Sequence, residues 1–145
     1  MKSILLAGGG GHCRSSIDVI EKEGKYKVAG IVERVGGPKE PVLGYPIVGT
    51  DNDTPSLISR HNYILVTIGQ IRDVLPRKNL FLTLSELGFS FPTVYSPFAY
   101  VSKHAQVDIG TIVMHHALVN AGAKIGANCI INSKALVEHD SEIAD

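Results

Sequence analysis

The stretch Ala117-Leu118-Val119-Asn120-Ala121-Gly122-Ala123-Lys124-Ile125-Gly126-Ala127-Asn128-Cys129-Ile130-Ile131 decides the fold. Val119, Ile125 and Ile131 recur every six residues, and two positions before each stands a small residue: Ala117, Ala123 and Cys129. The register runs outward in both directions, through Val113, Val107 and Val101 toward the N-terminus and through Val137 and Ile143 toward the C-terminus. Ala99, Ala105, Thr111, Ala135 and Ser141 fill the small slot. A period of six fits neither the 3.6-residue turn of a helix nor the two-residue alternation of a strand. It fits a parallel β-helix, where each hexad makes one flat side and turns a corner, and three sides close a coil of about 18 residues. The aliphatic points inward and the small residue lets the chain turn. Counted from Ala99, about two and a half coils fit before Asp145. An unfinished coil leaves strand edges that folded proteins usually cover, so the expectation is a C-terminally truncated piece of a longer protein.

The front half reads differently. Ser3 to Ala7 is predicted as a buried strand, followed by Gly8-Gly9-Gly10-Gly11 and a helix from about His12 to Glu23, with Cys13, Ile17 and Ile20 at helical spacing. Lys27 to Val32 is the next strand, with Glu33 at its end. Thr54-Pro55 starts a helix, Tyr63 to Ile68 forms a strand ending at Gly69-Gln70, and Pro76 opens a helix stopped by Gly88. Thr93 to Tyr95 is a short strand. Strands alternating with helices imply a small parallel sheet, an α/β Rossmann-like half. The expected domains are residues 1–96 and 97–145.

Composition narrows the function. The chain balances 14 Lys and Arg against 14 Asp and Glu, which argues against a nucleic-acid or anionic-membrane surface. No apolar run is long enough to span a bilayer. Cys13 and Cys129 do not make a disulfide framework, and a reducing cytoplasm is the expected compartment.

The glycine run is a phosphate-cradle candidate, since glycine admits close backbone approach and a helix N-terminus favours anions. Glu33 lies where a dinucleotide fold places its ribose-binding acid. The alternative is a merely tight strand-to-helix turn, because Cys13 occupies the third small position of the fingerprint. Among six histidines, His61 and His104 read as surface, and His115 and His116 as structural hydrogen-bonding residues. His12 borders the glycine loop and reads equally as a ligand contact or a polar helix start. No zinc spacing is present and no metal is expected. His139, in Val137-Glu138-His139-Asp140, is a candidate proton acceptor because imidazole titrates near neutrality.

The stretch from Asn120 to Gly126, then Cys129 to Asp140, resembles the hexapeptide-repeat sugar O-/N-acyltransferases of the NeuD/PglD type. The Gly8-to-His12 loop, Glu33, and Thr67-Ile68-Gly69-Gln70 followed by Arg77 agree with it. The resemblance implies a Rossmann-like domain that binds a sugar or nucleotide sugar, and a left-handed parallel β-helix that assembles as a homotrimer. It implies acetyl-CoA as cosubstrate, bound between adjacent β-helices, and a sialic-acid-like sugar or a nucleotide-linked amino sugar as acceptor. His139 matches the family's general base and Asp140 the acid that orients it. Adjacent strand residues point oppositely, so this pair requires a bend in the chain. Asn132 matches a position near the acceptor group. Gly10, Gly11, His12, Glu33, Gly69 and Arg77 match the sugar-nucleotide pocket. Most coenzyme A contacts in the family follow the catalytic histidine, so the expected behaviour is sugar binding without efficient transfer. A non-catalytic nucleotide-sugar-binding and trimerisation module is the alternative. An NAD-dependent enzyme is disfavoured, because a β-helix supplies neither a hydride partner nor a substrate domain.

Overall fold

Continuous burial at the end of Lys2–Ala7 (β1) sets the first sheet, in which Ile4, Leu5, Leu6 and Ala7 are all inaccessible to solvent or nearly so. Residues buried on both faces of a strand mark the centre of a parallel sheet. The computed structural model describes residues 1–145 and places β1 between Tyr26–Glu33 (β2) and Tyr63–Val66 (β4), with Ile47–Thr50 (β3) at the edge, in the order β3-β2-β1-β4. All three pairings are parallel. The helix Gly11–Glu23 (α1) buries Cys13, Ile17, Val19 and Ile20 and ends on Gly24, whose φ of 70° is left-handed and whose N–H caps Ile20 O. A short helix, Thr54–Leu57 (α2), follows a 3₁₀ turn. The helix Leu75–Glu86 (α3) contributes Leu84 to a core with Leu5, Ala7, Val32, Ile64, Val66, Phe89 and Phe91. Contacts close this first compact unit at Met1–Phe91.

The second unit, Pro92–Asp145, is a coil of two-residue strands. Val94–Tyr95 (β5), Tyr100–Val101 (β6), Gln106–Val107 (β7), Ile112–Val113 (β8), Leu118–Val119 (β9), Lys124–Ile125 (β10), Ile130–Ile131 (β11), Leu136–Val137 (β12) and Glu142–Ile143 (β13) stack as three parallel sheets, β13-β10-β7, β11-β8-β5 and β12-β9-β6. Each strand pairs with its counterpart one coil away, as Ile125 pairs with both Val107 and Ile143. Val113, Val119, Ile125, Ile131 and Val137 fill the prism together with Ala117 and Ala123. This is the left-handed parallel β-helix of the hexads.

Three details differ from the sequence-based expectation. Val94–Tyr95 pairs with Ile112–Val113, so the second unit starts at Pro92 rather than at 97, and each face carries three strands where about two and a half coils were counted. The strand expected to reach Ile68 stops at Val66; Thr67 N–H makes the last bond of the β1–β4 ladder, to Ala7 O at 2.9 Å, where β1 itself ends. The edge strand β3 has no strong pattern, being only partly buried, and periodicity alone does not reveal it.

Candidate functional site

In the first unit, the residues after β1 and after β4 form one cluster. Gly8 takes a φ of 114°, and a Cβ there would overlap the Ile68 side chain. Glycine is therefore required where the two loops press together. Thr67 Oγ1 ties the loops by donating to Gly8 O at 2.7 Å. A Cβ added at Gly69 would come into ordinary contact with His12 Cβ, at 3.6 Å. Gly10 and Gly11 face open space, and α1 starts at Gly11 with no side chain capping it. Uncapped N–H groups at the start of a helix, behind open glycines, favour an anion.

Glu33, at the end of β2, accepts from Gly9 N–H at 3.1 Å with one oxygen and from Arg34 N–H at 2.9 Å with the other. It thereby holds the glycine loop as well as lying beside it. Arg77 is 1% exposed and donates through Nη1 to Val66 O at 2.8 Å and Ile68 O at 2.9 Å. Its contacts are with the backbone that leads into Gly69-Gln70, so it shapes that loop from beneath. Burial, helped by the Arg77 charge, lowers the His12 pKa to about 4, and the ring is neutral at pH 7. Cys13 is likewise a neutral thiol, raised to about 11 by burial against a smaller, opposing hydrogen bond from Thr67. Neither acts as a cation or thiolate here.

In the second unit, His139 and Asp140 occupy the corner after β12. Asp140 has a φ of 60°. That left-handed residue is the bend the pair requires: it swings the carboxylate back so that Oδ2 lies 3.0 Å from His139 Nδ1. The hydrogen bond and then the charge of Asp140 raise the His139 pKa above 6.5, with a smaller push from Glu138. Nδ1 is engaged, so Nε2 is the nitrogen left to take a proton. Both side chains are largely exposed. Asn132 stands at the preceding corner, after β11, where its Oδ1 accepts from Ser133 N–H at 2.9 Å and its Nδ2 remains a donor. His115, by contrast, is engaged with Ser96 and lies beside the Phe98 ring, which suits a structural role. No group of three or more His, Cys, Asp or Glu side chains converges as a metal site, and no helix is long and apolar enough to cross a membrane.

The structure thus brings Gly10, Gly11, His12, Glu33, Gly69 and Arg77 into one cluster and His139 with Asp140 into another. Thr67 was not a candidate from sequence. Its hydroxyl matters only because β4 ends beside β1, a proximity that no local pattern encodes.

Residues 3–82 match the PglD N-terminal domain family. The chain belongs to that family. Solved structures extend the similarity through the β-helix. A perosamine N-acetyltransferase from Caulobacter crescentus, in a histidine-to-asparagine variant complexed with CoA and GDP-perosamine, matches at a TM-score of 0.90 and 32% identity, over 99% of this chain and 66% of that one. PerB from Caulobacter crescentus, with the same two ligands, matches at 0.87 and 33% over 98% and 65%. The acetyltransferase domain of PglB from Neisseria gonorrhoeae, in complex with acetyl coenzyme A, matches at 0.87 and 29% over 99% and 67%. The PglD-family chain described here therefore spans about two thirds of the length of these proteins.

Proposed function

We propose that this chain belongs to an acetyl-CoA-dependent sugar acetyltransferase, with the nucleotide sugar held by the first unit and the general base supplied by the second. The observation that carries the reading is the His139–Asp140 pair, set on a β-helix whose whole chain matches acetyltransferases seen with CoA and GDP-perosamine. Similarity to perosamine N-acetyltransferase favours a nucleotide-linked amino sugar as acceptor over a sialic-acid-like one.

The chemistry follows from the groups present. His139 Nε2 removes a proton as the sugar amine attacks the thioester carbonyl, and Asp140 holds the tautomer with Nδ1 protonated and stabilises the imidazolium. The tetrahedral oxyanion is met by a backbone N–H donor. Its collapse breaks the C–S bond and returns the proton to the departing coenzyme A sulfur. Asn132 Nδ2 serves the acceptor group as a donor. In the first unit, Gly10 and Gly11 with the start of α1 receive the diphosphate, Glu33 and the Gly69 loop flank the nucleoside, and neutral His12 donates or accepts a hydrogen bond without adding charge. Arg77 positions the Gly69 loop.

A homotrimer is part of the same proposal. Tyr100, Leu118 and Leu136 form an outward apolar ladder along the β12-β9-β6 face, 63%, 38% and 59% exposed. The neighbouring β13-β10-β7 face presents Gln106, Lys124 and Glu142 instead. The third face stacks Val94, Ile112 and Ile130, but Val94 and Ile112 are buried. The ladder of Tyr100, Leu118 and Leu136 is therefore the exposed apolar stripe, and such a stripe supports association of copies.

The test measures coenzyme A thiol release from acetyl-CoA with GDP- and UDP-linked amino sugars and with sialic acids, His139→Ala in parallel. Acceptor-dependent release that the substitution abolishes supports the transferase. A nucleotide sugar that raises Tm without any thiol release would instead favour a binding and trimerisation module.

A further inference from the structure

From Val107 to Val137, position +3 after the inward aliphatic is left-handed at six successive corners: Gly110, His116, Gly122, Asn128, Lys134 and Asp140, with φ between 55° and 75°. Four of the six are not glycine, so this backbone does not itself demand glycine. The corners also share a hydrogen bond. Asn128 N–H goes to Ile109 O, Lys134 N–H to His115 O and Asp140 N–H to Ala121 O, at 2.9, 3.1 and 3.0 Å. Lys134 stands one coil above His116 with a side chain on both, so stacked +3 positions accept a Cβ below.

Gly122 is different. One coil above it stands Asp140, and a Cβ on Gly122 would overlap Asp140 Oδ1 and reach its Cγ at 3.0 Å. The obstruction is the carboxylate, not the backbone. The Asp140 side chain is turned back over Gly122, and that same turn sets its other oxygen on His139 Nδ1. The space above Gly122 and the hydrogen bond to His139 are two ends of one rotamer.

We propose that Gly122 is a positioning residue: its missing side chain is the seat for the Asp140 carboxylate, and through Asp140 it sets the orientation and tautomer of His139. A methyl group at 122 forces the carboxylate to another rotamer and breaks the pair while the coil persists. The seat itself depends on geometry alone. Its consequence for turnover rests on the transferase reading above.

The test is an NMR pH titration of the histidine rings in the full chain, with the His139 signal assigned by its loss in His139→Gln. The groups acting on His139 are Asp140, by hydrogen bond and charge, and Glu138 on its own turn, by charge. The coil below presents the uncharged Ala121 at the same register. In Gly122→Ala the midpoint of His139 is expected to fall, and to match that of Asp140→Asn. A His139 midpoint unchanged by Gly122→Ala overturns the proposal, whatever the enzyme assays show. A stability cycle covers the case in which the alanine variant folds poorly. Gly122→Ala should lower Tm much less in an Asp140→Ala background than alone, because the colliding oxygen is gone. Equal losses in both backgrounds also overturn it. In the transferase assay, kcat falls on the order of 10²-fold with nucleotide-sugar affinity unchanged. A titration that responds with no transferase activity in any variant would leave the seat standing and sink the transferase reading instead.

Discussion

His12 and His139 carry the same side chain into opposite environments. In the first unit, desolvation dominates: His12 is held neutral down to about pH 4, by burial first and by the Arg77 charge second. In the second, a carboxylate dominates: His139 is exposed, and Asp140 raises its pKa by accepting a hydrogen bond from it. A ring that stays neutral across physiological pH suits recognition, where a fixed hydrogen-bonding pattern is useful. A ring poised to accept a proton, with its second nitrogen oriented, suits catalysis. The difference teaches that a histidine's role follows from what surrounds it in space.

The largest effect that sharpens this comparison is a kinetic split. His139→Ala is expected to lower kcat by roughly 10²–10⁴-fold with nucleotide-sugar affinity retained, the range usual for a lost general base. His12→Gln is expected to weaken nucleotide-sugar binding, measured by calorimetry, with a smaller change in kcat. If the two variants changed the same parameter, the division of labour between the units would fail.

Next comes Arg77→Met. It leaves Val66 O and Ile68 O without their shared donor, each loss costing about 1–3 kcal/mol. Denaturant melts should show the first unit less stable by roughly 2–6 kcal/mol. The His12 pKa should rise but remain below 6.5, because burial is the larger cause. A return all the way to 6.5 would make the charge, not desolvation, the controlling influence.

The acid limb of stability tests His12 directly. Its folded pKa, about 4, lies below the unfolded value of 6.5, so the unfolded chain binds the extra proton between those limits. Stability therefore falls as pH drops through 6.5, by about 3 kcal/mol once pH 4 is passed. His12→Gln should remove that part of the slope in urea melts recorded across pH 4 to 7. An unchanged slope would assign the acid sensitivity elsewhere.

The smallest effect concerns the exposed pair. A base must be unprotonated to act, so transfer should be lost as pH falls through a value above 6.5. Asp140→Asn should move that inflection down toward 6.5 in the pH profile of kcat/KM. An inflection that does not move would mean that Asp140 plays no part in tuning the base.

How much of this was legible beforehand varies by element. The hexads announced the β-helix because each inward aliphatic is buried by its own local turn and by copies of itself one coil away. Gly8, Glu33 and Gly69 were legible because glycine-rich strand ends and a following acid are spaced along the chain. The edge strand β3 was not, since partial burial blurs its alternation. Thr67 and the structural use of Arg77 were also illegible, because both depend on carbonyls exposed where separate strands end. Gly122 belongs with these: in the sequence it is one glycine of a repeat, and its significance lies in Asp140, 18 residues later.

The sequence by itself determined the two architectures, their order, and the candidate base. Period and composition suffice for that, since solvent and chain geometry act on every residue locally. Only the tertiary structure decided which histidine is silenced and which is poised, where the boundary between units falls, and what the left-handed corner at Asp140 does. Those outcomes depend on desolvation, on hydrogen bonds and on excluded volume between residues far apart in the chain, and these exist only once the chain has folded.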